Sequence, residues 1–347
     1  MVTLKDVAGE SGVSVTTVSM VMSGGPAADR ISTRTKNRIW KIAKKLGYRP
    51  NFYARSLRSQ RSHTIGVIVF DVTDPYCTQI LRGIETYLRP FGYFPLVTDF
   101  QNDRNQFHVC ADMLLGRRVE GIIAIGNPLY LDSAMFSEFA RKNIPAVIIG
   151  RELSDSPLNS VVVDNEMGTR QAIQYLYELG HSRIAFIKGP KTLVDSSQRW
   201  RGLEGFAKEV GLKMDPKLIR QIQGRHPTYA EAFQLTQDLL HRGLNFTAIV
   251  TFDDLTACGA IRALTQLGYR VPKDCSVIGF DDVPSSAFYN PPLTTIQQQL
   301  ETQGSLGAEI VEGLIKAAGE QGSARTKHRR VTPKLIVRDS TCPAAKA

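Results

Sequence analysis

Two pairs of neighbouring acids, Asp253-Asp254 and Asp281-Asp282, are the residues of this chain best suited to proton transfer or metal binding. Two carboxyls work as acid and base only when both face one point. Neighbours in sequence usually point apart, so each pair reads as two separate roles, with Asp254 as a helix N-cap. The six histidines are scattered without metal-ligand spacing, and His181 reads as a turn residue. Glycine-rich phosphate loops, zinc-protease helices and nucleophile elbows are missing from the sequence. Five cysteines, widely spaced and odd in number, suggest neither a disulfide framework nor a zinc site and suit a reducing cytosol. The chain reads as a binding protein of the cytoplasm, not an enzyme, with no metal and no cofactor.

Charge says what is bound. Residues 1–62 hold twelve Lys and Arg against three Asp and Glu, so +9 of the net +10 lies there. The other 285 residues are nearly balanced. Such asymmetry is the electrostatic footprint of a polyanion binder, and nucleic acid is the usual partner. Inside this basic segment sits an uncharged stretch, GVSVTTVSMVMSG, at 12–24.

The elements that must position these groups fall into three zones. Residues 1–49 read as short helices at Leu4–Gly9, Val15–Met22 and Thr33–Leu46. Ser32 is the N-cap of the third and Gly47 its C-terminal stop. Leu4, Val7, Ala8, Val13, Val18 and Val21 supply a helix-on-helix core, Gly12 allows a tight turn, and Ser14 caps the second helix. Thr16, Thr17 and Ser19 are left to point outward. This is a helix-turn-helix, whose second helix enters the major groove. Residues 50–62 carry one apolar face, too short to hold a helix alone in water. From residue 63 onward, β-branched runs alternate with amphipathic helices, the pattern of doubly wound parallel sheets. There are too many units for one sheet, so two α/β lobes with a cleft between them are expected. No apolar run is long enough to span a membrane.

The ordered motifs VTLKDVA (2–8), GVSVTTVS (12–19), LGYRPN (46–51), ARSL (54–57), IGVIV (65–69), LGHSRIA (179–185), VPKDCSVIGFDD (271–282) and PPLTTI (291–296) cover nearly the whole chain. On them the chain resembles the LacI/GalR family of bacterial transcription regulators. The resemblance implies a helix-turn-helix headpiece at 1–49, a hinge helix at 50–62, and a periplasmic-binding-protein-like effector and dimerisation core at 63–347. The N-lobe is then expected at 63–164 and 295–325, and the C-lobe at 165–294 and 326–340. Its implied partners are double-stranded operator DNA, a small sugar-like effector and a second copy of the chain. The short tail after the last strand, without heptads, suits a dimer rather than a coiled-coil tetramer.

By the same resemblance, Val15, Thr16 and Met20 read base edges, and Thr3, Ser14, Thr17, Ser19 and Ser23 contact phosphates. Asn51, Tyr53 and Ala54 belong to the hinge helix, which wedges Leu57 into the minor groove. Met20 stands where the family commonly has Arg, His or another polar residue, and Ser23 where it has Asn. Tyr76, Arg151, Arg199, Asp253 and Asp281 are carried over as effector contacts, while Gly150 replaces a common Asp. Carboxylates, arginine and an aromatic ring at strand ends suit a polyhydroxylated ligand. The rival reading is a solute-binding module whose basic N-terminus is incidental.

Overall fold

The computed structural model describes residues 2–23, 26–48, 61–126, 131, 136, 139, 141–151, 158–243, 245–319 and 326–344. The chain divides into two compact units, 1–62 and 63–347.

In the first unit, helices α1 (Leu4–Ser11), α2 (Val15–Ser23) and α3 (Thr33–Leu46) surround one core, with a single helical turn at Pro26–Asp29. Val7, Ala8, Val18, Val21, Ile39 and Ala43 form that core. Gly12 ends α1 at φ +63°, a conformation open to glycine and strained for other residues. Ser32 accepts the Thr35 amide proton at the start of α3, and Gly47 closes it at φ +68°. Lys41, Lys44 and Lys45 are exposed on the opposite side from Ile39 and Ala43.

The second unit holds two six-stranded sheets. The N-lobe sheet runs in the order β11-β5-β4-β3-β1-β2, from β1 (Thr64–Val69), β2 (Phe94–Asp99), β3 (Gly121–Ile125), β4 (Ala146–Ile149), β5 (Asn159–Val163) and β11 (His328–Val331). All its pairings are parallel. The C-lobe sheet runs β12-β10-β9-β8-β6-β7, from β6 (Ile184–Lys188), β7 (Ile219–Gln221), β8 (Ala248–Thr251), β9 (Ser276–Asp281), β10 (Thr294–Gln297) and β12 (Lys334–Ile336). Only the β10–β12 pairing is antiparallel. Continuously buried strands such as Gly121–Ile125 and Ser276–Asp281 show that helices cover both faces.

The lobe boundaries differ from expectation at the second and third crossings. Thr294–Gln297 pairs with β9, so the C-lobe extends past residue 294. His328–Val331 pairs with β5, so the N-lobe extends past 325. Each of these strands joins its sheet through partners more than a dozen residues away in sequence, which local patterning does not encode.

Among the described residues, the α-helices of the second unit are α4 (Pro75–Leu88), α5 (Arg104–Gly116), α6 (Asn165–Glu178), α7 (Val194–Val210), α8 (Tyr229–His241), α9 (Asp254–Gln266) and α10 (Leu300–Gly319). Gly83 on α4 and Gly304 on α10 each face the backbone of the other helix so closely that no Cβ fits. That contact fixes α4, and with it the first turn that faces the cleft.

Candidate effector site and nucleic-acid interface

The ends of the strands facing the second lobe converge on a cavity of about 470 Å³, its open mouth included. Its N-lobe wall is Phe70, Asp74, Tyr76 and Asn102, from the turns after β1 and β2. Asp74 caps α4 by accepting the Tyr76 amide proton at 2.8 Å, which aims Tyr76 at the cleft. The Tyr76 and Phe70 rings lie 5.9 Å apart. The C-lobe wall holds Leu193, Asp195 and Arg199 of the α7 region, His226-Pro227, and Phe252, Asp253 and Asp281 at the ends of β8 and β9.

Arg199 is the centre of this wall. It is buried, with its guanidinium carbon 3.8 Å from the Phe280 ring centroid and 4.5 Å from that of Phe252. Nε donates to Asn165 Oδ1 at 3.0 Å, and Nη1 donates to the Phe252 carbonyl. Nη2 stands 3.4 Å from Asp195 and 3.6 Å from Asp281. A buried cation without such partners would be strongly disfavoured, and the cation–π contacts hold its plane in one orientation.

Asp281 and Asp282 take positive φ values of +123° and +57°. Non-glycine residues in this region store strain of about 1–3 kcal/mol each and occur where function requires it. The two carboxyls have different partners, as their adjacency suggested. Asp281 faces the cavity and accepts from Gln298, in the segment that returns to the N-lobe. Asp282 turns away to Arg338 at 2.6 Å and Gln297 at 2.8 Å.

The other acid pair corrects an expectation. Asp253, not Asp254, is the N-cap of α9, accepting the Thr256 amide proton at 2.7 Å in a reciprocal capping box. Asp253 still lines the cavity. Asp254 is wholly buried beneath the strand ends, accepting from the Val283 amide at 2.9 Å and from the Thr295 hydroxyl. Burial pushes Asp254 up to about 8 and Asp74 up to about 7, and it raises Asp253 and Asp281 as well. Burial also raises the Tyr76 phenol.

Of the five expected effector residues, four line one cavity: Tyr76, Arg199, Asp253 and Asp281. Arg151 is not among the lining residues, and its Nη1 donates to the Leu131 carbonyl. Gly150 has φ +98°, and a Cβ there would sit 3.0 Å from the Tyr76 hydroxyl. Tyr76 thus occupies the space that a larger residue at 150 would need. Sequence reasoning missed Asp74 and Asp195. Both left a signal: Asp74 precedes Pro75 as a cap does, and Asp195 lies four residues before Arg199 on one helix face.

In the first unit, α2 presents Val15 and Met20 as exposed residues, 40% and 38% accessible, while Val18 and Val21 are buried. Met22, not Met20, packs against the core. Thr16 is exposed, but Thr17 turns back, its hydroxyl 2.9 Å from that of Ser14, whose oxygen accepts the Thr17 amide proton. Ser19 is half-buried. Thr3 caps α1, with its amide and hydroxyl both bonded to Asp6. Ser23 ends α2, and its side chain lies outside the described residues, as do Asn51, Tyr53, Ala54 and Leu57.

Comparison with known proteins agrees with both units. Residues 3–51 match the family described as bacterial regulatory proteins, lacI family, and residues 173–341 match a periplasmic binding protein-like domain. The chain is 33% identical to the HTH-type transcriptional repressor CytR of Escherichia coli (strain K12), over 98% of this chain and 96% of that one. It is 32% identical to the HTH-type transcriptional repressor PurR of Haemophilus influenzae (strain PittEE), over 98% of each. The Lac repressor bound to ONPG in its repressed state superposes with a TM-score of 0.83 at 29% identity, covering 98% of this chain and 99% of that one. The Lac repressor dimer bound to operator and the anti-inducer ONPF gives 0.80 at 30% identity, with the same coverage. A helix-turn-helix of this sequence, a two-lobed core of this strand order and full-length identity above 30% have one reading: the chain belongs to the LacI family of bacterial regulatory proteins.

Proposed function

We propose that this protein is a cytoplasmic transcription repressor that binds a near-palindromic operator as a homodimer, with its DNA affinity set by a small polyhydroxylated effector between the lobes. The observation that carries the effector half is the buried Arg199, held by contacts to the Phe252 and Phe280 rings and to Asp195 and Asp281. Ligand hydroxyls donate to the carboxylates, and Tyr76 and Phe70 cover an apolar ring face from the other lobe. Tyr76, Arg199, Asp253 and Asp281 are the contacts we assign to it. Arg151 has no part.

On DNA, Val15, Thr16 and Met20 read bases, the first and last by apolar contact with thymine methyls. Thr3, Ser14, Thr17, Ser19 and Ser23 contact backbone, and the segment holding Asn51, Tyr53, Ala54 and Leu57 forms the hinge helix. The exposed lysines of α3 add sequence-independent attraction. The second copy covers Phe94, Leu96 and Val97 of the edge strand β2 and Val109 and Met113 of α5, large apolar residues left exposed in one chain. Effector binding shifts the population between lobe arrangements, which changes the spacing of paired hinge helices. Among the described residues no helix is long and apolar enough to cross a membrane.

Duplexes enriched from a random pool by the full chain provide the test. Their affinity falls about 1,000-fold or more between roughly 50 and 200 mM salt. It is lost when residues 1–62 are removed, while the core keeps its fold. Little change on truncation would favour the solute-binding module instead.

A further inference from the structure

The charge balance of the cleft narrows the effector class, and this step rests on the effector reading above. Asp74, Asp195, Asp253 and Asp281 line the cavity against a single guanidinium, Arg199. Every nitrogen of that guanidinium is already engaged, by Asn165, by the Phe252 carbonyl and by the two nearest carboxylates. The Phe280 and Phe252 rings lie against it, with centroids 3.8 and 4.5 Å from its carbon. The other basic side chain on the lining, His226, is exposed, and among the described residues no lysine reaches the cavity.

Protonation of the acids supplies no free cation. Burial raises Asp74, Asp253 and Asp281. The one guanidinium on the lining stays committed to Asn165, the Phe252 carbonyl, Asp195 and Asp281. A phosphate brought here would leave water for a site with no uncommitted cation and with carboxylates on both lobes. Hydroxyl and N–H donors meet the reverse situation, since ionised acids accept from them and protonated ones donate to ring oxygens or nitrogens.

We propose that the cleft excludes effectors bearing a phosphate or carboxylate and selects uncharged ring compounds rich in O–H and N–H donors, the chemistry shared by free sugars and nucleosides. Titration calorimetry on the full chain with matched pairs tests it: ribose and ribose 5-phosphate, glucose and glucose 6-phosphate, cytidine and CMP, adenosine and AMP. At least one neutral member binds, about 100-fold or more tighter than its phosphorylated partner. Asp195→Asn, of the same shape but one charge fewer, narrows that ratio about tenfold. Asp74→Asn keeps the helix cap, because Asn caps as well as Asp, and it narrows the ratio at pH 8, above the raised value of about 7 for Asp74.

A phosphorylated probe that binds as tightly as its neutral partner, and loses affinity in Asp281→Ala, overturns the charge argument and leaves the site standing. Binding unaffected by both Asp281→Ala and Asp195→Asn puts the ligand outside this cleft, and overturns the charge argument and the site together. Failure of every neutral probe to bind also overturns the proposal.

Discussion

The two lobes of the core have matching strand orders, yet they bring different chemistry to the cleft between them. The N-lobe contributes two aromatic rings, Phe70 and Tyr76, with Asn102 and one acid, Asp74, which is tied up in capping α4. The C-lobe contributes Arg199, three acids and the Phe252 face. In the C-lobe the polar groups are bonded to one another before any ligand arrives. The difference teaches a division of work within one fold: one lobe holds a rigid polar grip, and the other supplies apolar cover. Polar recognition needs fixed directions, which a bonded network supplies, whereas stacking tolerates small displacements.

Breaking the C-lobe grip has the largest expected effect. Arg199→Ala leaves Asp195 and Asp281 buried without their cation and costs about 3–5 kcal/mol of core stability, read in chemical denaturation. It also removes effector response, while duplex binding by the headpiece survives. A loss below about 1 kcal/mol would mean that Arg199 is not the keystone of that wall.

The next test compares the buried acids of the two lobes. Asp254 of the C-lobe is pushed up to about 8 and Asp74 of the N-lobe to about 7. In the unfolded chain both titrate near 3.8, so above that pH the folded state holds protons that the unfolded state has lost. Their contribution to stability is complete below pH 3.8 and is lost as pH rises through about 7 and about 8. Each retained proton contributes a slope of up to about 1.4 kcal/mol per pH unit. Thermal melts between pH 5 and 8 therefore show falling stability, and Asp254→Asn flattens the profile more than Asp74→Asn does. Equal profiles in all three proteins would remove the contrast between the lobes.

The smallest effect probes the N-lobe cover. Gly150→Ala costs about 1–3 kcal/mol, because φ +98° strains any side chain and the new methyl meets the Tyr76 hydroxyl. Tyr76→Phe in that background recovers the part due to the hydroxyl and leaves the backbone part. Full recovery would show that Tyr76 alone sets the cost.

How much of this was legible in the sequence depended on distance along the chain. The third headpiece helix, Thr33–Leu46, with its Ser32 cap and Gly47 stop, is written within sixteen residues, and the structure has the same span and caps. Asp253 and Asp254 both suit a cap by residue type, so sequence alone does not separate them. The deciding partners are Thr256, three residues on, and Val283 and Thr295, far downstream. Arg151 ends a strand, as effector residues do, but the Leu131 carbonyl captures it. Residues 295–325 and 326–340 are expected in the N-lobe and the C-lobe, yet Thr294–Gln297 pairs in the C-lobe sheet and His328–Val331 in the N-lobe sheet. Their membership is settled by which strands lie beside them, and no local pattern carries that information.

The bond from Gln298 to Asp281 has one more consequence. Gln298 follows the last residue of β10 and precedes α10, on one of the three passages of chain between the lobes, so it belongs to the joint as much as to the site. Turning one lobe against the other moves Gln298 and re-aims the carboxylate it holds. Grip and joint angle are therefore one variable, and whatever tightens on Asp281 leans on the pivot by the same amount of free energy.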